Sequence, residues 1–498
     1  MDKTSLQLTP GLDPVWGYSL LIGLGLFSLV IAAIVRHYLV RNTHDFIISD
    51  RKIGFGFGVG SVIAVWTWAM AVLMSSATTF QWGLSGLFWF VVPNGLAVLL
   101  IIPFARVLRR SMPQGYTISE FITHRFNRSR VASTIVTITM IFGIILEILI
   151  NLKGTSIVIS SVFGIDWKVA AIVGILSVLV YSYFGGLWTS VITATINTLM
   201  ITVPAGIIVA LVYDKIPGGA DAVVTAVGQA NPEYLSVLRW DAAAGFGITL
   251  AFGLFAATIA DQTFWQKVWS IRSSQVSRTF LWAGALFYPI PIALGALGLV
   301  GIAYGLTPAD VGGDIAAIGP YIVSHIGLPL VVILAYVLVI LAACYSTIDG
   351  ASAALSSVVA VDIVKRYAPA TTERVLFVIT KISTLVGGAI ALAIVLSGAD
   401  FTTLVLTTYA LKTAILLPLA LAILWPRTNT IGFVGGIVLA IGIGMPIREV
   451  YGELIGTLSI LAISGAAVVI GAAIKPQRFD NSALRRTSDL DAAASPAE

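Results

Sequence analysis

The segment LAACYSTIDG, residues 341–350, places Tyr345, Ser346, Thr347 and Asp349 inside a long apolar run. Ser346 and Thr347 are adjacent, so both hydroxyls can reach one point beside a helix, and the carbonyl of Ala343, one turn earlier, shares that face. Carbonyl and hydroxyl oxygens are what a hard cation such as Na⁺ takes as ligands. A second polar stretch, GSVIAVWTWAM at 60–70, sets Gly, Ser and Thr beside Trp66 and Trp68 and suits an interrupted helix. At such a break the carbonyls of Ala64 and Thr67 are free to face an ion. The expectation is a sodium site built from two spans: the main-chain oxygens of Ala64, Thr67 and Ala343 and the hydroxyls of Ser346 and Thr347. The bland alternative is helix packing, because Ser and Thr also bond back to their own helix.

Four ionisable residues add to this picture. Asp349 lies three residues past Ser346 on the same face, and an acid at that depth costs about 2.5–3.5 kcal/mol on the insertion scale. It is expected to draw the cation inward as it leaves, or else to form an ion pair with Lys412 or another cation. Lys412, in LTTYALKTAILLP, has Asp349 or Glu147 as candidate counter-charges, or an anionic solute. Glu147 and Lys153 are six apart and do not face one another on a regular helix. Lys153 has snorkelling as its plain reading. A third polar stretch, AFGLFAATIADQTFWQK at 251–267, carries Asp261 and Gln262.

These residues must be held by membrane spans. The 498 residues are 58% hydrophobic and 11% charged, with a mean hydropathy of +0.96. A soluble chain carries about 25% charged residues, so the composition indicates an all-α polytopic membrane protein. The lone Cys344 excludes an internal disulfide, and the four histidines have no ligand spacing. No HExxH, Walker sequence or nucleophile–base arrangement is present, so no enzyme is expected, and nothing points to nucleic acid or to a protein partner. The N-terminus is polar and acidic and does not resemble a cleavable signal peptide.

Apolar segments near 15–35, 56–80, 84–105, 131–160, 169–187, 190–213, 243–266, 279–305, 326–360, 375–398, 402–424, 430–447 and 453–474 predict about thirteen spans. With that count most of the 29 basic residues fall in loops on one side. The N-terminus is then expected outside and the C-terminus in the cytoplasm. The external loop at 306–325, containing TPADVGGD, is expected to hold a short helix over the mouth. The tail 475–498 is expected to be disordered.

The motifs resemble those of the sodium:solute symporter family over roughly residues 10–475. SVIAVWTWA at 61–69, YSYFGGLW at 181–188 and CYSTIDGASAALSSVVAVDIVKRY at 344–367 carry the resemblance. It implies a LeuT-like core of five-plus-five inverted repeats over residues 56–424, after a first peripheral helix within 1–55 and before two more at 425–474. It also places the family's sodium ligands on Ala64, Thr67, Ala343, Ser346 and Thr347. WTWAMAVLMSSATTFQWGLSGLFWF at 66–90 and ADQTFWQK at 260–267 are most similar to the urea symporters of fungi and plants. One departure is Ala194, where many members carry an Asp tied to sodium release or a second sodium; its loss suggests one Na⁺ per cycle.

The resulting expectation is a plasma-membrane symporter that uses Na⁺ as coupling ion to import a small polar solute by alternating access. Urea or a similar nitrogenous compound is the leading solute, against a small carboxylate or amino acid. A passive channel or facilitator is the other class. The solute is expected where the broken halves of two core helices meet, among Trp68, Phe255, Thr258, Asp261 and Tyr409. Its partners are otherwise Na⁺ and membrane lipid.

Overall fold

The computed structural model describes residues 1–398, 400–480 and 484, with the side chain of Thr402 left aside. Most of the expected polar tail therefore lies outside the described residues. Everything described is helical apart from turns and two isolated bridges. The principal helices are α1 (Pro14–Tyr38), α2 (Phe55–Trp66), α3 (Ala69–Trp82), α4 (Leu84–Ser111), α5 (Ile118–Arg125), α6 (Arg130–Phe163) and α7 (Trp167–Lys215). They continue as α8 (Ile248–Ile259), α9 (Gln262–Ser270), α10 (Val276–Phe287), α11 (Pro289–Ala303), α12 (Ile318–His325) and α13 (Leu330–Val358). The chain closes with α14 (Glu373–Leu396), α15 (Phe401–Leu424), α16 (Thr430–Leu439), α17 (Met445–Tyr451) and α18 (Glu453–Ile474).

Among the described residues, eleven helices are long and apolar enough to cross a bilayer, and the bent pair α2–α3 makes a twelfth span. Helix α7 has 49 residues, about 74 Å at 1.5 Å per residue, more than twice a hydrocarbon core of about 30 Å. It is broken at Gly186, whose φ of 56° and ψ of −152° lie outside the helical region. A Cβ there would come within 2.5 Å of the Phe46 carbonyl oxygen, so glycine is required twice over, by conformation and by space. The two halves of α7 serve as separate spans, which agrees with the expected count of about thirteen.

Two apolar segments are interrupted within the bundle, and these breaks position the site. Between α2 and α3 the chain bends by 51° through Thr67 (φ −81°, ψ 72°) and Trp68 (φ −70°, ψ 167°). Neither glycine nor proline makes this break; a side chain from another helix holds it. Asn151 Oδ1 on α6 accepts from the Ala69 N–H at 2.7 Å, capping the start of α3. Between α8 and α9, Ala260 and Asp261 leave the helical region, and Asp261 Oδ1 caps α9 by accepting from the Thr263 N–H at 2.8 Å.

The span that begins with α13 is the hub. Its most apolar window, within Leu330–Lys365, is 72% buried, against 33% for those of α1 and α18. That contrast separates a core helix from lipid-facing ones. At the end of the bundle carrying the basic loops, the core is sealed by side-chain amides. Gln262 Nε2 donates to the Tyr116 carbonyl at 3.0 Å and to Ser357 Oγ at 3.2 Å, while its Oε1 accepts from the Ile118 N–H at 2.9 Å. Gln266 Nε2 donates to the carbonyls of Ile47 (2.7 Å) and Ala353 (3.0 Å). At the opposite end lies a cavity of about 440 Å³, lined by Lys153, Trp167, Asp310, Asp314, Tyr321 and His325 among others. The last two belong to α12, the short helix expected over the mouth.

Candidate ion and solute site

Helix α13 lays Ser346 and Thr347 against the break after α2. Ser346 Oγ reaches the Ala64 carbonyl oxygen at 3.2 Å and that of Ala343 at 3.0 Å. Thr347 Oγ1 reaches the Ala343 carbonyl at 3.1 Å and the Val65 carbonyl at 3.4 Å. Four of the five expected sodium ligands thus share one buried place where two helices touch. The fifth, Thr67, is fully buried at the break itself, and its hydroxyl donates to the Ile63 carbonyl at 2.7 Å. Val65 is a further main-chain oxygen that sequence reasoning did not name.

The buried charges assemble differently from one of the pairings expected. Lys412 on α15 lies 2.6 Å from Glu147 Oε1 on α6 and 2.7 Å from Asp261 Oδ2 at the α8–α9 break. Each of the three is at most 3% exposed. Lys412 is therefore committed to Glu147 and Asp261 rather than to Asp349, which corrects that alternative. Its ammonium also stands 5.0 Å from the centre of the Trp68 ring, within range of a cation–π contact. Glu147 Oε2 accepts from Thr263 Oγ1 at 3.1 Å, so the triad is fastened to α9 as well.

Asp349 takes hydroxyl partners instead. Its Oδ1 accepts from Ser182 Oγ at 2.5 Å and its Oδ2 from Thr193 Oγ1 at 3.5 Å, both on α7. Ala194, which replaces the acid of many family members, is the next residue after Thr193; the carboxylate facing this part of α7 stands on α13. Lys153 lies apart from the triad, with its ammonium 4.9 Å from the Trp167 ring centre at the edge of the outer cavity.

The expected solute residues divide. Asp261 belongs to the triad and Trp68 adjoins it, and the Trp68 indole N–H is buried without a hydrogen-bond partner. Tyr409 is buried on α15, three residues before Lys412; its hydroxyl meets Met70 Sδ at 2.7 Å and its ring packs where Gly253 leaves room. Thr258 is buried, with its hydroxyl turned back to the Phe255 carbonyl at 3.0 Å. Phe255 is half-buried and packs edge-to-face on Phe252, with ring centres 6.4 Å apart. Asn151, Ser182 and Thr193 were missed in the sequence. Asn151 follows Glu147 by four residues, the spacing of one helix face, and that signal was available.

A model of the sodium:solute symporter family matches residues 46–439. The chain belongs to that family. The symporter is similar to the urea–proton symporter DUR3 of Oryza sativa subsp. japonica, 23% identical over 95% of this chain and 72% of that protein. It is also similar to the probable urea active transporter 1 of Schizosaccharomyces pombe, 26% identical over 59% of this chain and 47% of that protein. The symporter thus spans about half the length of the yeast relative. Among solved structures, a Na⁺-coupled sialic acid symporter in a substrate-bound, outward-open state matches with a TM-score of 0.77 at 19% identity, over 93% of this chain and 99% of that one. Mhp1, a nucleobase-cation-symport-1 family transporter, matches with a TM-score of 0.55 at 11% identity, over 88% and 96%. These likenesses bear out the LeuT-like fold. Relatives and neighbours alike are transporters and not enzymes.

Proposed function

We propose that this symporter couples Na⁺ entering the cell to the uptake of a small neutral nitrogenous solute, with urea as the representative substrate. The observation that carries the ion assignment is the convergence of Ser346, Thr347 and Ala343 of α13 on the Ala64 and Val65 carbonyls of α2. Each hydroxyl can rotate its proton away, leaving lone pairs and carbonyl dipoles directed at one point. Such a set holds Na⁺ without a titrating group. Because it joins α13 to the broken α2–α3 span, occupancy by an ion favours the arrangement in which the two are in contact. Inward movement of one charge gains about 2.3 kcal/mol per 100 mV, which drives the solute uphill.

The charge balance supports a neutral solute over a carboxylate. Lys412 is the cation beside Trp68, and two carboxylates already hold it. An anion arriving there would meet a cluster with no spare positive charge. Trp68 offers a flat face and an unpartnered N–H, and Asp261 an acceptor; planar urea, rich in donors, suits that combination. In this reading Ala64, Thr67, Ala343, Ser346 and Thr347 hold Na⁺, Trp68, Asp261 and Tyr409 face the solute, and residues 56–424 form the transport core. The basic loops face the cytoplasm of a plasma-membrane protein, so the amide-sealed end is the inner gate and the cavity near α12 is the outer vestibule.

The test is uptake of labelled urea, acetate and proline into proteoliposomes under an inward Na⁺ gradient, an inward H⁺ gradient, or neither. Concentrative urea uptake with Na⁺ alone is expected. Uptake that only equilibrates would mean a facilitator. A second reading, proton coupling, is favoured by the name of the rice relative and by the buried carboxylates Glu147, Asp261 and Asp349. It predicts accumulation under the H⁺ gradient without Na⁺.

A further inference from the structure

On the flank of the core, the first half of α7 and α14 leave a groove of about 440 Å³ between them. Apart from the Tyr183 hydroxyl, the side chains that line it are apolar. Leu176, Val180 and Phe184 on α7 and Leu385 on α14 are exposed, so the groove opens on the outside of the bundle, where lipid lies. Its floor is closed at Gly388, where α14 comes so near α7 that a Cβ would lie 2.5 Å from Leu179 Cδ1. The lining runs from Ile175 to Phe184 on α7, about 14 Å at 1.5 Å per residue. That is close to half of a hydrocarbon core of about 30 Å, the depth of one leaflet.

Lys381 stands at the end of the groove nearer the basic loops, one helical turn before Leu385. Its ammonium lies 4.0 Å from the centre of the Tyr183 ring and 5.5 Å from that of Phe184, the two rings that end the groove. It also lies 5.6 Å from the centre of the Phe377 ring. Arg36 of α1 reaches the same ring, with its guanidinium carbon 5.3 Å from the centre, and one of its nitrogens donates to the Val40 carbonyl. Among the described residues, neither cation pairs with a carboxylate, and the Lys381 ammonium makes no hydrogen bond. Snorkelling alone carries an ammonium away from apolar surface into water; this one is folded over the rings that close an apolar slot. Lysine and arginine are donors only, so the patch keeps donors for an acceptor from outside the chain.

We propose that this groove binds one anionic phospholipid, with an acyl chain between α7 and α14 and the headgroup phosphate on Lys381 and Arg36. An apolar slot one leaflet deep fits a hydrocarbon chain. Two cations without counter-charges at its mouth fit a phosphate, onto which a guanidinium can fork with two hydrogen bonds. A zwitterionic headgroup brings its own ammonium into the positive patch, so a headgroup with net negative charge is preferred. The bound lipid ties α1 to α14 at its head and α14 to α7 along its chain, on the flank of the core and away from the proposed ion and solute sites.

The experiment is native mass spectrometry of the purified full-length protein in detergent, titrated with phosphatidylglycerol or with phosphatidylcholine of the same chains. Wild type is expected to hold its first phosphatidylglycerol about tenfold more tightly than its first phosphatidylcholine, the scale expected of two basic residues beside an anionic lipid. Arg36→Gln combined with Lys381→Gln should lose that preference, and Lys381→Arg should keep it. Ala389→Trp, which fills the groove, should weaken both lipids. Equal retention of the two lipids by wild type would overturn the proposal, as would an undiminished preference in the double variant or unaltered binding in Ala389→Trp. Displacement by glycerol 3-phosphate alone would give the patch to a free phosphate and overturn the lipid. If the double variant does not purify, wild type answers by position. Phosphatidylglycerol with a diazirine on one chain should label residues 175–184 and 385–392, and unlabelled phosphatidylglycerol, but not phosphatidylcholine, should suppress the labelling. Label spread evenly over the lipid-facing helices, or suppressed equally by both lipids, would overturn the site.

Discussion

The ammonium of Lys412 stands 2.7 Å from Asp261 Oδ2, joining α15 to the interrupted span α8–α9. With Glu147 on its other side, it holds three core elements together through one buried charge. Lys412→Met leaves two facing carboxylates without their cation, and breaking a buried pair costs about 3–5 kcal/mol. A clear fall in the midpoint of thermal unfolding in detergent and loss of solute uptake are expected. Lys412→Arg should keep much of the stability, since the charge persists. A Lys412→Met protein as stable as wild type would show that the triad does not hold these elements together.

The oxygens around Ala343 make a prediction about ion affinity. Ser346→Ala and Thr347→Ala each remove one hydroxyl while leaving the carbonyls of Ala64 and Ala343 in place. The Na⁺ concentration for half-maximal uptake should rise at least tenfold for each, equivalent to about 1.4 kcal/mol. The double variant should be insensitive to Na⁺ in the same range. Flux measured against Na⁺ at fixed ionic strength checks this. An unchanged half-saturation value in the double variant would remove the ion from this place.

Outside the spans, Asp310 fastens the N-terminal arm to the loop before α12. Its pKa falls to about 2, chiefly through the Thr307 hydroxyl and then through the Lys3 ammonium. A group depressed on folding contributes stability above its ordinary value of 3.8, and loses it as pH falls through the folded value near 2. The Lys3–Asp310 pair should therefore hold at neutral pH and weaken between about pH 4 and pH 2. Hydrogen exchange at the amides of Gln7 and Thr9, which donate to the carbonyls of His325 and Ser324, reports on it. Asp310→Asn should speed that exchange at pH 7, and an unaltered rate would show the arm is held by its backbone alone.

Gly186 divides α7 with a φ of 56°. Gly186→Ala adds a Cβ within 2.5 Å of the Phe46 carbonyl oxygen and strains the backbone by about 1–3 kcal/mol before any clash. A lower melting temperature and poorer recovery of monodisperse protein are expected. Gly23, which has open space around its Cα, is the control, and Gly23→Ala should be near neutral.

Much of the architecture was legible because each spanning segment is itself a run of apolar residues with polar loops at its ends. The break at Thr67 and Trp68 was also legible, since small and polar residues interrupt an apolar run there. Asp349's partners were not. Ser182 and Thr193 lie 167 and 156 residues away along the chain, and no periodicity within a helix encodes which neighbour it will meet.

By itself the sequence determined that the chain must lie in a bilayer, roughly where it crosses, and which oxygens on α13 share one face, because hydropathy and the 3.6-residue turn are local properties. Only the tertiary structure decided that Lys412 binds Glu147 and Asp261, that Asp349 turns to the hydroxyls of α7, and that Asn151 props open the break before α3. In the low dielectric between packed helices a buried charge is tolerated only beside its complement, and which complement stands beside it is fixed by how distant helices pack.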